Sequence, residues 1–264
     1  MEHINEVIRS VQACLDDECT NYVDIIMRAS KQIPPVFFTS TYKDFLWHCA
    51  ASIPNWLPKV VVACANTEGH GAHELLKIWS SVNFHAEAES GLLHHARDEA
   101  GHAKLFVKLA KLVFAENFAT DSLDQLENSL RPIVSADLHK TSDIISESML
   151  IDYLMQLNIV EIRTRHHLHI LAPMYYALAP QNNKRKVEQI LNGLSVDETS
   201  HVVYTARLIN GFASKTDMDR LAGVYACRLQ NYNQHTLDHS DYTKNNYGQG
   251  EFPALFNLEN SPRQ

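Results

Sequence analysis

Two segments of the chain place a carboxylate and an imidazole one helical turn apart. Both have the pattern Asp-Glu-x-x-His, and they read Asp98-Glu99-Ala100-Gly101-His102 and Asp197-Glu198-Thr199-Ser200-His201. On a helix, residues i and i+3 lie on one face, so the Glu and the His of each segment can bind one metal ion together. A single Glu-x-x-His arises easily by chance in a chain with 15 His, whereas two copies indicate a metal site. Helical bundles hold two iron or manganese ions with two such helices and one Glu from each of two others.

The two additional Glu ligands are predicted from the polarity of their helix faces. Glu161 lies between the two motifs, on a face that is mostly apolar. Before the first motif, Glu68 lies on a face of small and apolar residues, whereas Glu74 lies on a polar one. A carboxylate on an apolar face is costly to bury unless it is paired or bound to a metal. We therefore expect Glu68 and Glu161 to complete the ligand set.

Hairpin geometry supports this choice independently. Residues that face each other on antiparallel helices are equidistant from the turn that joins them. Glu68 and Glu99 have their midpoint at Asn83-Phe84, between two segments with helical periodicity, and the second pair of Glu residues has its midpoint at Ala179-Pro180. Glu74 would instead put the turn in a stretch without a helix breaker.

The types of the ligands indicate the metal and the residues that support it. Carboxylates and imidazoles without thiolates suit iron or manganese better than a structural zinc ion. A histidine that binds a metal usually donates its other ring N–H to a carboxylate or carbonyl. We expect Asp98 to accept from His201 and Asp197 to accept from His102, so that each acidic residue supports the histidine of the facing helix.

The elements that must position these residues are long helices. The chain contains only nine Gly and nine Pro, its apolar residues recur at helical spacing, and no stretch alternates with a period of two. We predict an all-α protein, a helical bundle with extra terminal helices, as a single domain over 1–264. Its parts are N-terminal helices in 3–52, a core bundle over about 56–211, and a C-terminal helix and irregular tail in 217–264. The predicted helices are 3–30, 41–52, 56–81, 87–116, 142–171 (before Pro173), 184–210 (before Gly211) and 217–234, with a short helix within 117–140.

Composition excludes several other classes of protein. The formal net charge of −8 argues against sequence-independent binding of nucleic acid. No apolar run approaches the roughly 18 residues that span a bilayer, and the first residues lack the basic start and apolar stretch of a signal peptide. The five Cys form no Cys-x-x-Cys pair, which favours reduced thiols. We expect a cytoplasmic protein without nucleic-acid or membrane partners.

The order Glu68, Glu99-x-x-His102, Glu161, Glu198-x-x-His201 resembles the ferritin-like carboxylate-bridged di-iron proteins over roughly 57–210. Within that group it looks most like the p-aminobenzoate N-oxygenase type, whose helices carry similar D-E-x-x-H segments. That family has a third His one turn before the last E-x-x-H, where this chain has Leu194. The resemblance implies a ferritin-like four-helix bundle for the core. It also implies a non-haem di-iron oxygenase that uses two Fe ions (or Mn) and O₂ to oxidise a small organic metabolite such as an amine, by N-oxygenation or hydroxylation. It also implies an external electron donor, and it leaves the oligomeric state open, with a homodimer as one option.

Two alternatives remain open. Glu68-Gly69-His70-Gly71-Ala72-His73 resembles the first core helix of haem-oxygenase-like di-iron oxidases, which cleave C–C or C–N bonds. A non-enzymatic protein that handles iron or senses oxidants could use the same six ligands.

For the enzyme, we expect no catalytic residue beyond the metal ligands, and Arg165, one turn after Glu161, is expected to support the site. The predicted pocket residues, each one or two turns from a ligand, are Cys64, His95, Phe106, Leu157 and Leu194.

Overall fold

The described part of the chain is helical and contains no strand. The computed structural model describes residues 11–12, 15 and 19–247. The predicted all-α class is therefore confirmed for these residues. None of the helices described combines the length and the apolarity that crossing a bilayer requires. Eight α-helices are defined in this part of the chain: α1 Thr20–Gln32, α2 Ser40–Ser52, α3 Trp56–Ser80, α4 Ala86–Phe114, α5 Ser122–Ser129, α6 Glu147–Leu178, α7 Lys184–Ala213 and α8 Met218–Tyr247.

The turns fall where the Glu midpoints place them. Asn83-Phe84 lies between α3 and α4, and Ala179-Pro180 lies between α6 and α7. The imidazole of His85 caps α4, since its Nδ1 accepts the Ala88 N–H at 3.2 Å. These two predicted turns are confirmed.

Helix α6 does not end before Pro173, as the sequence predicts, but continues through it to Leu178. A proline inside a helix removes one backbone hydrogen bond and strains the preceding turn. Leu171 and Tyr175, on either side of the proline, are both buried. Burial of these side chains offsets the cost of the proline, and packing overrides the local stop signal.

The other ends of the long helices differ from the prediction by a few residues. Helix α6 begins at Glu147 rather than near 142, because the Ser146 hydroxyl caps it by accepting the Met149 N–H at 3.3 Å. Helix α7 continues past Gly211, since buried apolar side chains follow directly after that glycine.

The C-terminal helix is longer than predicted. Helix α8 reaches Tyr247 instead of ending near 234. Three hydroxyl side chains in this polar stretch, Thr236, Ser240 and Thr243, are buried, and each donates to a backbone carbonyl one turn earlier. Because these hydroxyls are satisfied within the helix, a polar sequence can be buried there.

Two predicted terminal segments fall partly or wholly on residues outside the described part. Residues 3–10 of the predicted N-terminal helix and residues 248–264 of the predicted tail lie outside it. The described helix α1 begins at Thr20, because Leu15 and Cys19 are not helical, so the predicted helix 3–30 is not continuous. It ends at Gln32, ahead of Pro34-Pro35, where the sequence predicts a stop.

The described residues divide into two compact units. The first unit comprises the residues up to Pro54, Ile151–Ile170 and the residues from Thr205 onward. The second unit comprises Asn55–Leu150 and Leu171–Tyr204. The single domain over 1–264 stays a prediction.

In the second unit, α3 and α4 pack along each other through small and apolar side chains. Val61, Ala65 and Ala72 on α3 and Ala96 and Ala103 on α4 are all fully buried. Small side chains let two helices approach closely. This apolar interior nevertheless contains buried carboxylates and imidazoles on α3, α4 and α7, and these polar side chains form the candidate site described below.

In the first unit, a buried asparagine connects several elements. The Asn158 carboxamide oxygen accepts hydrogen bonds from the Tyr22 hydroxyl at 2.6 Å and from the Tyr225 hydroxyl at 2.8 Å. Its amide nitrogen donates to Thr205 Oγ1 at 2.9 Å. All four side chains are buried, so each lost hydrogen bond leaves a polar group without solvent to replace it.

We predict that Asn158→Ala lowers the free energy of unfolding by about 2–4 kcal/mol, since two tyrosine hydroxyls lose their acceptor. Urea unfolding of the metal-free protein, followed by circular dichroism, measures this change. The exposed Asn231 on α8 provides the control, because Asn231→Ala should change stability by no more than about 0.5 kcal/mol. Equal stability of both variants would contradict the structural role of Asn158.

Candidate metal centre

Three helices of the second unit present the candidate ligands. Helix α4 carries His95, Glu99 and His102 at positions i, i+4 and i+7, so the three side chains share one face. Glu198 and His201 lie one turn apart on α7, and Glu68 lies on α3. All six side chains are buried. Because of the helical spacing of the two motifs, their Glu and His side chains all point into the protein and offer oxygen and nitrogen ligands.

A first group consists of Glu68, Glu99, His102 and Glu198. One ligand atom from each of the four lies within 4.8 Å of the others. His102 Nδ1 is 3.5 Å from Glu99 Oε1 and 3.5 Å from Glu198 Oε1. Two ligands held about 2.1 Å from one cation lie roughly 3.0 Å apart at a right angle and about 4.2 Å apart when opposite. These separations therefore suit ligands that surround a single cation.

Each motif histidine is oriented by an aspartate of the other motif. His102 Nε2 donates to Asp197 Oδ2 at 3.1 Å, and His201 Nε2 donates to Asp98 Oδ2 at 3.2 Å. These are the same two pairs that the sequence predicts. Both rings consequently turn Nδ1 toward the buried carboxylates, with His201 Nδ1 3.6 Å from Glu99 Oε1. The support of a bound metal by these aspartates stays a prediction.

Glu198 shows that the protein alone does not satisfy this group. Its side chain is 0% exposed, and neither carboxylate oxygen accepts a hydrogen bond from any described residue. His102 Nδ1, which faces it, likewise has no hydrogen-bond partner in that part of the chain. A buried carboxylate without a partner costs several kcal/mol. The donor set fits a cation, because a cation bound here would satisfy both side chains at once.

The carboxyl groups of Glu68 and Glu99 perturb each other. Burial raises the pKa of Glu68 well above its usual range, and the neighbouring Glu99 raises it further. Burial would also raise the pKa of Glu99, but the neighbouring Glu68 carboxyl and the nearby imidazoles of His102 and His95 outweigh burial and hold that pKa well below its usual range. Without a cation, Glu68 therefore holds the proton and Glu99 carries the charge.

A second group adjoins the first and contains a histidine that the sequence analysis assigns to the pocket wall. Ligand atoms of His95, Glu99 and His201 lie within 4.8 Å of one another. His95 is 0% exposed, its Nε2 is 3.2 Å from Glu99 Oε1, and its ring stacks on that of His201 with centroids 3.6 Å apart. Burial lowers its pKa, so the ring is neutral. Because Glu99 belongs to both groups, its carboxylate can bridge two cations.

The position of His95 could have been found from its spacing. It lies four residues before Glu99 and therefore on the same helix face, whereas the adjacent His94 is exposed. Tyr204 lies three residues after His201 and so shares the face of a predicted ligand, but this spacing does not identify its hydrogen-bond partner. Its hydroxyl forms a 2.9 Å hydrogen bond with His95 Nδ1, a contact that depends on the packing of α4 against α7.

Glu161, the remaining predicted ligand, lies on the part of α6 that belongs to the first unit and is 4% exposed. Its burial agrees with the apolar face that the sequence shows, and its role as a ligand stays a prediction. Arg165, one turn later, also lies in the first unit and is partly buried. Glu74, the alternative to Glu68, is partly exposed and pairs with Lys77.

The predicted pocket residues are largely buried. Phe106, Leu157 and Leu194 are buried and Cys64 is partly buried. A cavity of about 410 Å³ in the second unit shares no residue with this set; its lining is Leu105, Lys108, Leu112, Lys186, Gln189, Ile190 and Gly193. The substrate pocket stays a prediction.

No protein-family model, no curated protein and no solved structure matches this chain. The chemistry of the site must therefore be inferred from its own ligands. Both groups offer carboxylate oxygens and imidazole nitrogens, and neither contains a thiolate. Such mixed ligands suit iron or manganese, and a group of four with three carboxylates differs from the thiolate-rich ligand sets of structural zinc sites.

We predict that Glu68→Gln weakens metal binding by at least about 100-fold, whereas Glu74→Gln leaves it unchanged, as measured by metal titration of the two variants. Without metal, Glu68→Gln should be at least as stable as the wild type, because the amide can donate to Glu99 as the protonated carboxyl does.

The raised pKa of Glu68 also predicts how the stability difference between the two metal-free proteins changes with pH. A carboxyl whose pKa is raised on folding costs stability as the pH rises above its unfolded value of about 4.3. The advantage of metal-free Glu68→Gln over the wild type should therefore be greater at pH 7 than at pH 4. If Glu74→Gln loses the metal and Glu68→Gln retains it, the choice of ligand is wrong.

Proposed function

We propose that this protein is a non-haem di-iron oxygenase that uses O₂ to oxidise a small organic metabolite, with an amine as the first candidate substrate. The observation that carries the proposal is Glu198, a fully buried carboxylate with no hydrogen bond to any described residue, placed within 4.8 Å of two other carboxylates and an imidazole. A cation bound among these side chains would satisfy Glu198 and His102 at once and would offset the repulsion between the carboxylates. The proposal includes a ferritin-like arrangement of α3, α4, α6 and α7 around the centre.

The six predicted ligands would be distributed between two iron ions. Glu68, Glu198 and His102 would hold one ion and His201 would hold the other, with Glu99 shared, as its membership of both groups suggests. Glu161 would complete the second position. A pair of ferrous ions bound there supplies electrons for the activation of O₂.

The protein residues would control access and orientation. The ligands are almost completely buried, so bulk water would be kept away from the centre. Asp98 and Asp197 fix both rings with Nδ1 inward. The substrate would enter next to Phe106, Leu157 and Leu194, and Arg165 would bind a substrate carboxylate or support Glu161. An external electron donor would reduce the centre between turnovers.

A second candidate function is supported by the same burial. A centre whose ligands are closed off from solvent, with the 410 Å³ cavity lined by other residues, also suits a protein that handles iron or senses oxidants without an organic substrate. The iron-loaded protein distinguishes these functions. An oxygenase consumes O₂ repeatedly when a reductant and its substrate are supplied, whereas an iron-handling protein consumes O₂ only in proportion to the iron added.

We predict that anaerobic titration of the wild type with Fe²⁺ gives two iron ions per chain, and that exposure to O₂ then produces transient visible absorption. Glu198→Gln should bind at most one iron and lose the absorption. The exposed Glu188, on the same helix, provides the matched control, and Glu188→Gln should behave as the wild type. A wild-type protein that binds no iron would overturn the proposal.

We also predict that Glu161→Gln reduces the iron content from two ions per chain to one. The reason is that a carboxylate on an apolar face of α6 is best explained by a ligand role. Glu147→Gln, which changes an exposed Glu in the first turn of the same helix, is the control. Iron content after gel filtration measures both, and an unchanged content in Glu161→Gln would remove this residue from the ligand set.

A further inference from the structure

We propose that His95 is a seventh protein ligand, which binds the second metal position through Nε2 and is held in place by Tyr204. This inference rests on the proposed function, since it assigns an additional ligand to the same centre. The set expected from the sequence has six ligands and only two histidines, and the position at which the family it resembles has a third histidine is Leu194 on α7. Here the third imidazole comes from α4.

The position of His95 suits a ligand of the second metal position. His95 Nε2 lies 3.2 Å from Glu99 Oε1, and a ligand atom of His95 lies within 4.8 Å of ligand atoms of both Glu99 and His201. Its ring is stacked on that of His201 and is fully buried. Nε2 therefore points to the same carboxylate oxygen that His201 Nδ1 approaches at 3.6 Å. Two imidazole nitrogens and one carboxylate oxygen converge on one point.

The other ring nitrogen of His95 has the hydrogen-bond partner that a metal ligand requires. A histidine that binds a metal almost always forms a hydrogen bond through its second nitrogen, which fixes the tautomer and the ring orientation. His102 and His201 use Asp197 and Asp98 for this purpose. His95 uses the Tyr204 hydroxyl, at 2.9 Å from Nδ1. In each of the three imidazoles, one ring nitrogen is therefore directed to Glu99 and the other forms a hydrogen bond with a supporting side chain.

The Tyr204 hydroxyl can keep its hydrogen bond to His95 with and without metal. A phenol can both donate and accept, so Tyr204 can bond to either neutral tautomer of His95. Without metal, Nε2 carries the hydrogen and donates to Glu99, while Nδ1 accepts from Tyr204. With metal on Nε2, the hydrogen is on Nδ1 and Tyr204 accepts it. The hydrogen bond therefore survives metal binding.

The absence of a side chain at Gly91 leaves the space that the Tyr204 ring occupies. A Cβ added to Gly91 on α4 would lie 2.7 Å from Tyr204 Cδ2 and 2.8 Å from Cε2. Because the ring cannot shift without moving the hydroxyl, the glycine maintains the contact with His95. Gly91, His95 and Tyr204 form one unit that positions a single imidazole.

Titration of the metal-free wild type with Co²⁺, followed by its visible absorption and by metal content, tests the inference. We expect two Co²⁺ per chain in the wild type. His95→Ala should bind one Co²⁺ tightly and the second at least about 100-fold more weakly, and added imidazole should restore the second site by filling the space left by the side chain. His70→Gln, which changes an exposed histidine on α3, should match the wild type.

Tyr204→Phe provides a milder test that keeps the ring and the core packing. It should weaken only the second site, by about 10- to 100-fold, and change the visible bands of the second Co²⁺ only. Two sites of unchanged affinity and spectrum in His95→Ala would overturn the ligand role while leaving the di-iron proposal intact. A wild type that binds no metal would overturn both.

Discussion

The centre depends on the cost of bringing like charges together in an apolar interior. Glu68, Glu99 and Glu198 place carboxylate oxygens within 4.8 Å of one another. Two unit charges about 4 Å apart interact by roughly 4 kcal/mol at an effective dielectric constant of 20. Three ionised carboxylates would then cost on the order of 12 kcal/mol, which is comparable with the entire stability of a domain, about 5–15 kcal/mol. The protein must share a proton within the group or bind cations, and the raised pKa of Glu68 reflects the first solution.

The two motifs form a reciprocal device rather than two separate ligand pairs. In each Asp-Glu-x-x-His, the Glu and His point inward, while the Asp is turned by one residue toward the facing helix and holds the other His. A shift of α4 along α7 would break both hydrogen bonds together and would also separate Glu99 from His201. The aspartates therefore fix the register of the two helices as well as the ring orientations. This explains physically why the acidic residue precedes Glu in both copies.

The sequence predicts the features that local periodicity and the cost of burial determine. Glu68 was distinguished from Glu74 because only one of them lies on an apolar face, and the helix turns follow from the positions of the Glu pairs. The sequence fails where packing competes with a local signal. Pro173 is a strong stop signal, yet α6 continues because buried side chains lie on both sides of it. The polar residues after 234 resemble a tail because one-dimensional hydropathy does not show hydroxyls bonded to their own helix.

His95 illustrates the same limit within the site. His94 and His95 are adjacent and are the same type of residue. Only the helical periodicity places His95, and not His94, on the face of Glu99. The sequence therefore predicts the helix face of His95. It does not predict the hydrogen-bond partner of His95, since Tyr204 reaches His95 only because Gly91 has no side chain.

The identity of that partner has an electrostatic consequence. A carboxylate on the distal nitrogen makes an imidazole a stronger donor, and a neutral phenol does so less. If His95 binds metal, it is the weakest of the three imidazole ligands. The second position then carries less negative charge than the first, where three carboxylates converge. A centre built in this way is asymmetric from the outset, and the metal position next to His95 is the one at which an exogenous ligand would exchange most easily.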